Sequence, residues 1–263
     1  MRMYSELITL TKNSRGVYSL DPVLGCGSGM KLGVNGCYSE CYAAKNARLY
    51  GYDFSIPVKR SFLNDAHVAS IIRDIRRADM PFIRMGTMGD PSEFWGHTIY
   101  IAENVFSAYQ LEMFSGAEKP LVIITKHWNH LSDAEVGKLA RIGAVINTSV
   151  SALDRPDVLL NALQQHFRLK RSLKSILRVV TCDFNRDTQD GRYYDSIQNT
   201  LLNEHPVIDT VFRPSKNNQL ISTGVIKTRR KTFIKSKQIV SKHNKRSYIG
   251  SCENCPDKCG ITM

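Results

Sequence analysis

Six of the seven cysteines fall into two groups, Cys26, Cys37 and Cys41 near the start of the 263-residue chain and Cys252, Cys255 and Cys259 at its close. Cys182 stands alone. In a reducing compartment, thiols grouped in this way point to metal or cluster ligation before disulfides. Ten residues separate Cys26 from Cys37, and three separate Cys37 from Cys41. The first interval contains Gly27, Gly29, Gly33 and Gly36, so the loop can fold tightly and present backbone amides to sulfide. A structural zinc or [4Fe–4S] site ordinarily takes four protein ligands, so three thiolates leave one coordination position open. No histidine between Glu6 and Asn64 completes a local zinc shell, although His67 or His97 could reach in from farther away. In the terminal group, spacings of two and three residues suit an auxiliary iron–sulfur cluster or a zinc site with His243 as fourth ligand. A disulfide with one free thiol is the plainer alternative.

The elements that must position these thiols are legible as strand-then-helix repeats. Short, nearly continuous apolar segments at Phe82–Thr87, Leu121–Thr125, Ala144–Ser149, Ile176–Cys182 and Thr210–Arg213 read as strands buried on both faces, with a weaker one around Val17–Leu24. Between them, His67–Ala78, Ile99–Phe114, Asp133–Ile142 and Asp190–Asn203 carry helical patterns. Ser132 with Glu135 forms a capping box, and Asp154 is the expected cap of a helix that starts near Arg155–Pro156. A period of about 30 residues, repeated five or six times, marks βαβ units. The pattern stops near residue 215, which predicts an α/β fold of six units, a partial (βα)6 TIM-like barrel, over residues 1–215. A doubly wound sheet is the second choice. Residues 216–263 read as a basic, cysteine-containing C-terminal extension. The first cysteines then sit on the loop that leaves the first strand, at the C-terminal mouth of a parallel sheet.

Composition narrows the function classes. A hydrophobic content of 42% supports a folded core, and no stretch approaches the ~20 apolar residues of a membrane span. Met1–Ser14 is polar and mixed, so a cytoplasmic protein is expected. The net charge is +12, and Lys227–Arg246 holds nine Lys or Arg residues and no acid. Such a run suits a nucleic acid or nucleotide partner, or else a solvated basic face.

The elements Gly25-Cys26, Gly36-Cys37 and Cys41-Tyr42-Ala43 resemble the radical S-adenosylmethionine (radical SAM) superfamily. They look most like its small, phage-encoded branch with a widely spaced cysteine motif. The resemblance implies a partial (βα)6 barrel and a [4Fe–4S] cluster on Cys26, Cys37 and Cys41, with SAM on the fourth iron. Reductive cleavage of SAM to a 5′-deoxyadenosyl radical would then abstract hydrogen from substrate. It also implies an electron donor such as flavodoxin or ferredoxin. The chain departs from the common motif, which has three and then two residues between cysteines and an aromatic just before the last. Here Glu40 precedes Cys41, and the adenine-packing aromatic is Tyr38 or Tyr42. The turn Met85–Asp90, with Gly86, Thr87 and Asp90, stands where the family binds the SAM amino group. Asn147, Ser149 and Ser151 stand where ribose hydroxyls are bound.

Each of these positions has a structural alternative, as a turn, a cap or a strand-edge polar group. Arg178, inside a barrel, needs an anion, which would be the SAM carboxylate or Asp183. Lys126, His127, Trp128 and His130 follow the third strand and line the same mouth, and Arg213 could meet a phosphate. Cys182 reads as a small buried hydrophobe. Three functions follow: a radical SAM enzyme that modifies a nucleic acid or nucleotide, a non-enzymatic zinc-stabilised nucleic-acid-binding protein, and an iron–sulfur nuclease. The last wants a compact Asp/Glu and Lys constellation that the sequence does not offer.

Overall fold

The computed structural model describes residues 6–13, 16–33, 36–107, 119–212, 214–215, 217–226, 232–235, 238–241, 255 and 257–263. Its strands are β1 (Leu10–Lys12), β2 (Tyr18–Leu20), β3 (Val23–Leu24), β4 (Val58–Lys59), β5 (Ile83–Met85), β6 (Leu121–Thr125), β7 (Val145–Val150), β8 (Ser175–Thr181), β9 (Val207–Val211), β10 (Thr232–Lys235) and β11 (Gln238–Ser241). The helices are α1 (Gly27–Met30), α2 (Tyr42–Leu49), α3 (Asp65–Arg77), α4 (Trp95–Ala102), α5 (Asp133–Arg141), α6 (Pro156–Leu169), α7 (Gln189–Leu202) and α8 (Gln219–Ser222).

The main sheet has the order β1-β2-β5-β6-β7-β8-β9. From β2 onward every pairing is parallel, and only β1 runs antiparallel, against β2. The order is monotonic, without the reversal that defines a doubly wound sheet. The fold is thus α/β with a mostly parallel central sheet.

Helices α3–α7 lie on one side of it. Met85, Ile123 and Ile146 pair across three strands, and they bury with Ile71, Ile75, Ile99, Val136 and Leu139 of α3, α4 and α5. Val150 and Val179 continue that face beneath Ala162 of α6 and Leu201 of α7. Because side chains alternate along a strand, the opposite, inner face carries Phe82, Arg84, Val122, Ile124, Val145, Asn147, Ser149, Ile176, Arg178 and Ile208.

The expected helices shift by a few residues. Asp65–Arg77 replaces His67–Ala78, and α4 starts at Trp95 and passes into a π turn over Glu103–Ser107. The expected end of that helix, at Phe114, lies outside the described residues. The capping box at Ser132 and Glu135 is present. Asp154 is not the cap of α6, whose first-turn neighbour is Arg155 with no capping side chain, since the carboxylate is engaged elsewhere.

The last residues, expected to belong to an extension, lie against the inner face of the sheet. A short 3-10 turn over Lys258–Gly260 buries Cys259 with Phe82, Val122, Val145, Ile176 and Ile208, at the N-terminal ends of the strands. Asn147 Nδ2 donates to Cys259 O at 3.2 Å, and Lys174 Nζ to Ile261 O at 2.9 Å. Gly260 has φ +87°, and a Cβ there would stand 2.6 Å from Ile176 Cγ1. Left-handed strain and overpacking then combine. Gly260→Ala is expected to cost roughly 1–3 kcal/mol in urea unfolding. Adding Ile176→Ala should give less than the sum of the two single losses.

Candidate active site

The C-terminal ends of the strands converge on the first cysteine loop. That loop is held from below by backbone: Gly25 N donates to Met88 O at 3.0 Å and Cys26 N to Phe54 O at 2.8 Å. Gly25 also bridges Gly89. Ser28 N donates to Glu93 Oε1 at 2.7 Å. Cys26 precedes α1, and its Sγ accepts from Gly29 N at 3.3 Å. Between Cys37 and Cys41 the chain passes through two consecutive left-handed residues, Tyr38 (φ 59°) and Ser39 (φ 57°). Each such non-glycine residue costs of order 1–3 kcal/mol and persists only where its surroundings fix it.

Two of the thiols, those of Cys26 and Cys37, border a common gap. A Cβ added at Gly29 would lie 2.8 Å from Cys26 Sγ, 3.3 Å from Cys37 Sγ and 3.6 Å from Trp128 Cζ2. Glycine therefore keeps open the space between the two sulfurs and the indole. A Cβ added at Gly36 would lie 2.9 Å from Cys41 Cβ, so the third cysteine adjoins the same loop. Burial pushes the Cys37 thiol up to about 12, with Cys41, Asp154 and Asp90 adding to the rise and Lys126 opposing it. Burial pushes Cys26 up as well, reinforced by Asp90, Cys37 and Glu93. Thiols held neutral in this way become ligands only when a metal takes the place of the proton.

Two thiols beside a glycine-kept gap, with a third cysteine on the adjoining loop, fit a metal cluster by their donor chemistry. Among the described residues, no three His, Cys, Asp or Glu side chains gather closely enough to hold one ion. A cubane places each thiolate on a different iron and does not ask for that convergence.

A buried carboxylate organises the wall beside Cys37. Asp154 Oδ1 accepts from Lys126 Nζ at 2.7 Å and from Tyr38 Oη at 3.0 Å, and its Oδ2 accepts from Ser151 N at 2.7 Å. The Lys126 and Asp154 side chains are only 9% and 1% exposed. Lys126 Nζ also stands 5.0 Å from the centre of the Tyr38 ring, which meets Phe212 edge-on at 5.5 Å. Burial, with Asp154 and Cys37 nearby, holds the Tyr38 phenol well above its usual range.

The other expected site residues sort differently. Tyr42, on α2, is 62% exposed, whereas Tyr38 is built into the wall. The amides of Gly86 and Thr87 both donate to Asp21 Oδ1 at 2.9 Å. Burial raises the Asp21 carboxyl, and these two amides oppose that rise. The Thr87 hydroxyl is buried without a protein partner. Asp90 is bonded within the protein through both oxygens. Its oxygens accept from Ser92 N and Oγ, Thr125 Oγ1 and Lys126 N at 2.7–2.9 Å, which ties the β5 and β6 ends together.

Ser151 is likewise consumed by structure, donating to Val180 O at 2.8 Å. Asn147, Ser149 and Arg178 share the inner face, with Ser149 opposite Arg178 in register. Asn147 keeps one buried oxygen, Oδ1, without a partner. Cys182 is buried, and its backbone pairs with the Gln198 amide at 2.7 and 3.0 Å, as a structural residue would. Cys255 and Cys259 lie toward the opposite end of the strands from the first loop, and Cys252, His243, Arg213 and most of Lys227–Arg246 fall outside the described residues.

The sequence alone did not single out Asp21, Glu93, Glu40 or Arg84. Glu40 Oε2 accepts from Ser215 N at 2.6 Å and Asn218 Nδ2 at 3.2 Å, which fastens the cysteine loop to the end of β9. Arg84, on the inner face, leaves its buried Nε without an acceptor. A signal existed for Asp90, since Asp followed by Pro marks a helix start. None existed for the others. Scans against protein-family models, curated proteins and solved structures give no match to this chain.

Two outcomes test this geometry. Removing one partner of a buried ion pair strands the other charge at a cost of about 3–5 kcal/mol. Asp154→Ala should lose stability on that scale in urea unfolding, and combining Lys126→Met with Asp154→Asn should recover much of it. The second concerns His127, which is fully buried, left-handed (φ 56°) and bonded through Nε2 to Thr148 Oγ1 at 2.9 Å. Burial lowers its pKa to about 3. The unfolded imidazole titrates near about 6.5, so its contribution is intact above that pH and is lost as pH falls toward 3, at about 1.4 kcal/mol per pH unit. His127→Asn, which tolerates the same φ, should flatten that slope in denaturation measured between pH 7.5 and 5.

Proposed function

We propose that the chain is a radical SAM enzyme, with a [4Fe–4S] cluster on Cys26, Cys37 and Cys41 and SAM at the remaining iron. The observation that carries this reading is the gap between the Cys26 and Cys37 sulfurs, kept open by Gly29 at the C-terminal edge of the parallel strands. The monotonic strand order and the one-sided helices support the sheet as the wall of a partial (βα)6 barrel whose inner face lines the site. When bound, the reduced cluster would supply the electron that cleaves SAM and starts hydrogen abstraction.

The chain's own residues then have separable tasks. The loop amides and buried surroundings exclude water from the thiolates, and the Lys126–Asp154–Tyr38 network fixes the wall beside Cys37. On the inner face, Arg84, Arg178, Ser149 and the Asn147 oxygen offer a polar band to a charged ligand above an apolar floor. The basic run Lys227–Arg246 supports a nucleic acid or nucleotide substrate. Flavodoxin or ferredoxin is the kind of donor such an enzyme uses. The terminal cysteines belong to an auxiliary cluster or a zinc ion on this reading.

Anaerobic reconstitution with iron and sulfide should give a brown protein with about four irons per chain at the first site, bleached by dithionite. Incubation with SAM and dithionite should release 5′-deoxyadenosine, and Cys41→Ala should abolish both that product and the cluster's colour while leaving the fold's circular dichroism unchanged. A protein that stays colourless and carries one or two zinc ions would overturn the proposal in favour of a zinc-stabilised binding protein.

A further inference from the structure

Trp128 presents the least expected polar atom at the site. Its indole Nε1–H is buried and has no acceptor in the protein. The same ring's Cζ2 lies 3.6 Å from the point where a Gly29 Cβ would sit, the point flanked by the Cys26 and Cys37 sulfurs. Cζ2 and Nε1 are bonded to the same ring carbon, so the N–H edge borders the gap that those thiols face. A buried donor left unpaired is rare in folded proteins and asks for an explanation, of which a hydrogen-bond acceptor on a bound group is one.

The backbone is arranged to put the ring there. His127 is held left-handed, with its N donating to Thr125 Oγ1 at 2.9 Å and its carbonyl accepting from Asn161 Nδ2 at 2.8 Å. Trp128 N donates to Ser92 Oγ at 2.8 Å, and that hydroxyl is itself held by Asp90 at 2.7 Å. The ring packs with Cys26, Met88 and Phe54. The strained residue therefore turns the chain so that the indole faces the cysteine loop, and two hydrogen bonds keep it there. The other tryptophan has no such freedom, since Trp95 Nε1 already donates to Asn129 O at 2.9 Å.

We infer that Trp128 is a positioning residue whose indole N–H donates a hydrogen bond to a sulfur of the cluster bound by Cys26, Cys37 and Cys41, and so sets how readily that cluster is reduced. The inference rests on the iron–sulfur reading above. A donor to sulfur favours the more negative, reduced state. Trp128→Phe keeps an aromatic ring while removing the N–H together with part of the indole's bulk, so the cluster should become harder to reduce.

The test uses the reconstituted full-length protein. Wild type and Trp128→Phe are first assayed for iron and for visible absorption, and then titrated with dithionite against mediator dyes. Equal iron content with about a tenfold lower reduced-to-oxidised ratio at one fixed potential, equivalent to about 59 mV for one electron, is the expected result. Equal iron and a ratio unchanged within about twofold would overturn the inference while leaving the cluster assignment standing. A wild-type protein that takes up no iron would instead overturn the assignment beneath it. An independent arm avoids the variant altogether. Wild-type protein labelled with 15N at the indole nitrogen should show nitrogen hyperfine coupling to the reduced, paramagnetic cluster, and the absence of that coupling refutes the hydrogen bond.

Discussion

The carboxylate of Asp154 is the constraint on which the candidate site depends. It is almost wholly removed from water, and it is tolerable there only because Lys126, Tyr38 and the Ser151 amide all donate to it. Those donors come from three different places: the end of β6, the cysteine loop and the turn after β7. One buried charge thus fixes the relative position of three segments that share no secondary structure. Asp90, Asp21, Glu93 and Glu40 repeat the device at neighbouring strand ends. The rim is held by carboxylates that accept backbone and side-chain donors from the next loop, which leaves the strands free to be short.

This arrangement explains how a loop with left-handed Tyr38 and Ser39 can hold a single shape. Local strain in the loop is offset by long-range hydrogen bonds at both of its ends, Ser28 to Glu93 and Glu40 to Ser215 and Asn218. The positions of the three cysteines are consequently set by the fold itself, and the entropy of ordering their loop is spent in folding.

The regular elements were legible wherever one physical signal dominated. Leu121–Thr125 is a strand with the bounds expected, because all five of its residues are apolar or β-branched. The Ser132–Glu135 box places the start of α5 correctly, because both of its partners are local. Of the residues the motif singled out, Cys26 and Cys37 border one space and Tyr38 stands in the adjoining wall. What escaped were interactions whose partners are distant in sequence. Asp154 looked like a cap because Pro156 follows, yet its partners lie 28 and 116 residues away. Asp90, expected at a ligand by its place in a glycine turn, also bonds to Thr125 and Lys126, 35 and 36 residues further on. A lone carboxylate in a loop carries no mark that distinguishes a bracket from a solvated side chain.

The docking of residues 257–263 on the inner face has a kinetic side. The hydrogen bond from Asn147 to Cys259 spans 112 residues, and Lys174 reaches Ile261 across 87. Contacts of such separation form slowly, because a long loop must close before they return any free energy. The rim at the other end of the strands mixes short contacts, such as those of Asp90 to Thr125 and Lys126, with long ones, Tyr38 to Asp154 across 116 residues and Glu40 to Ser215 across 175. The parallel strands, each paired with its neighbour in sequence within the sheet, can therefore assemble first, and both the fastening of the cysteine loop and the arrival of the C-terminal turn on Val145, Ile176 and Ile208 are closing steps in time as well as in space.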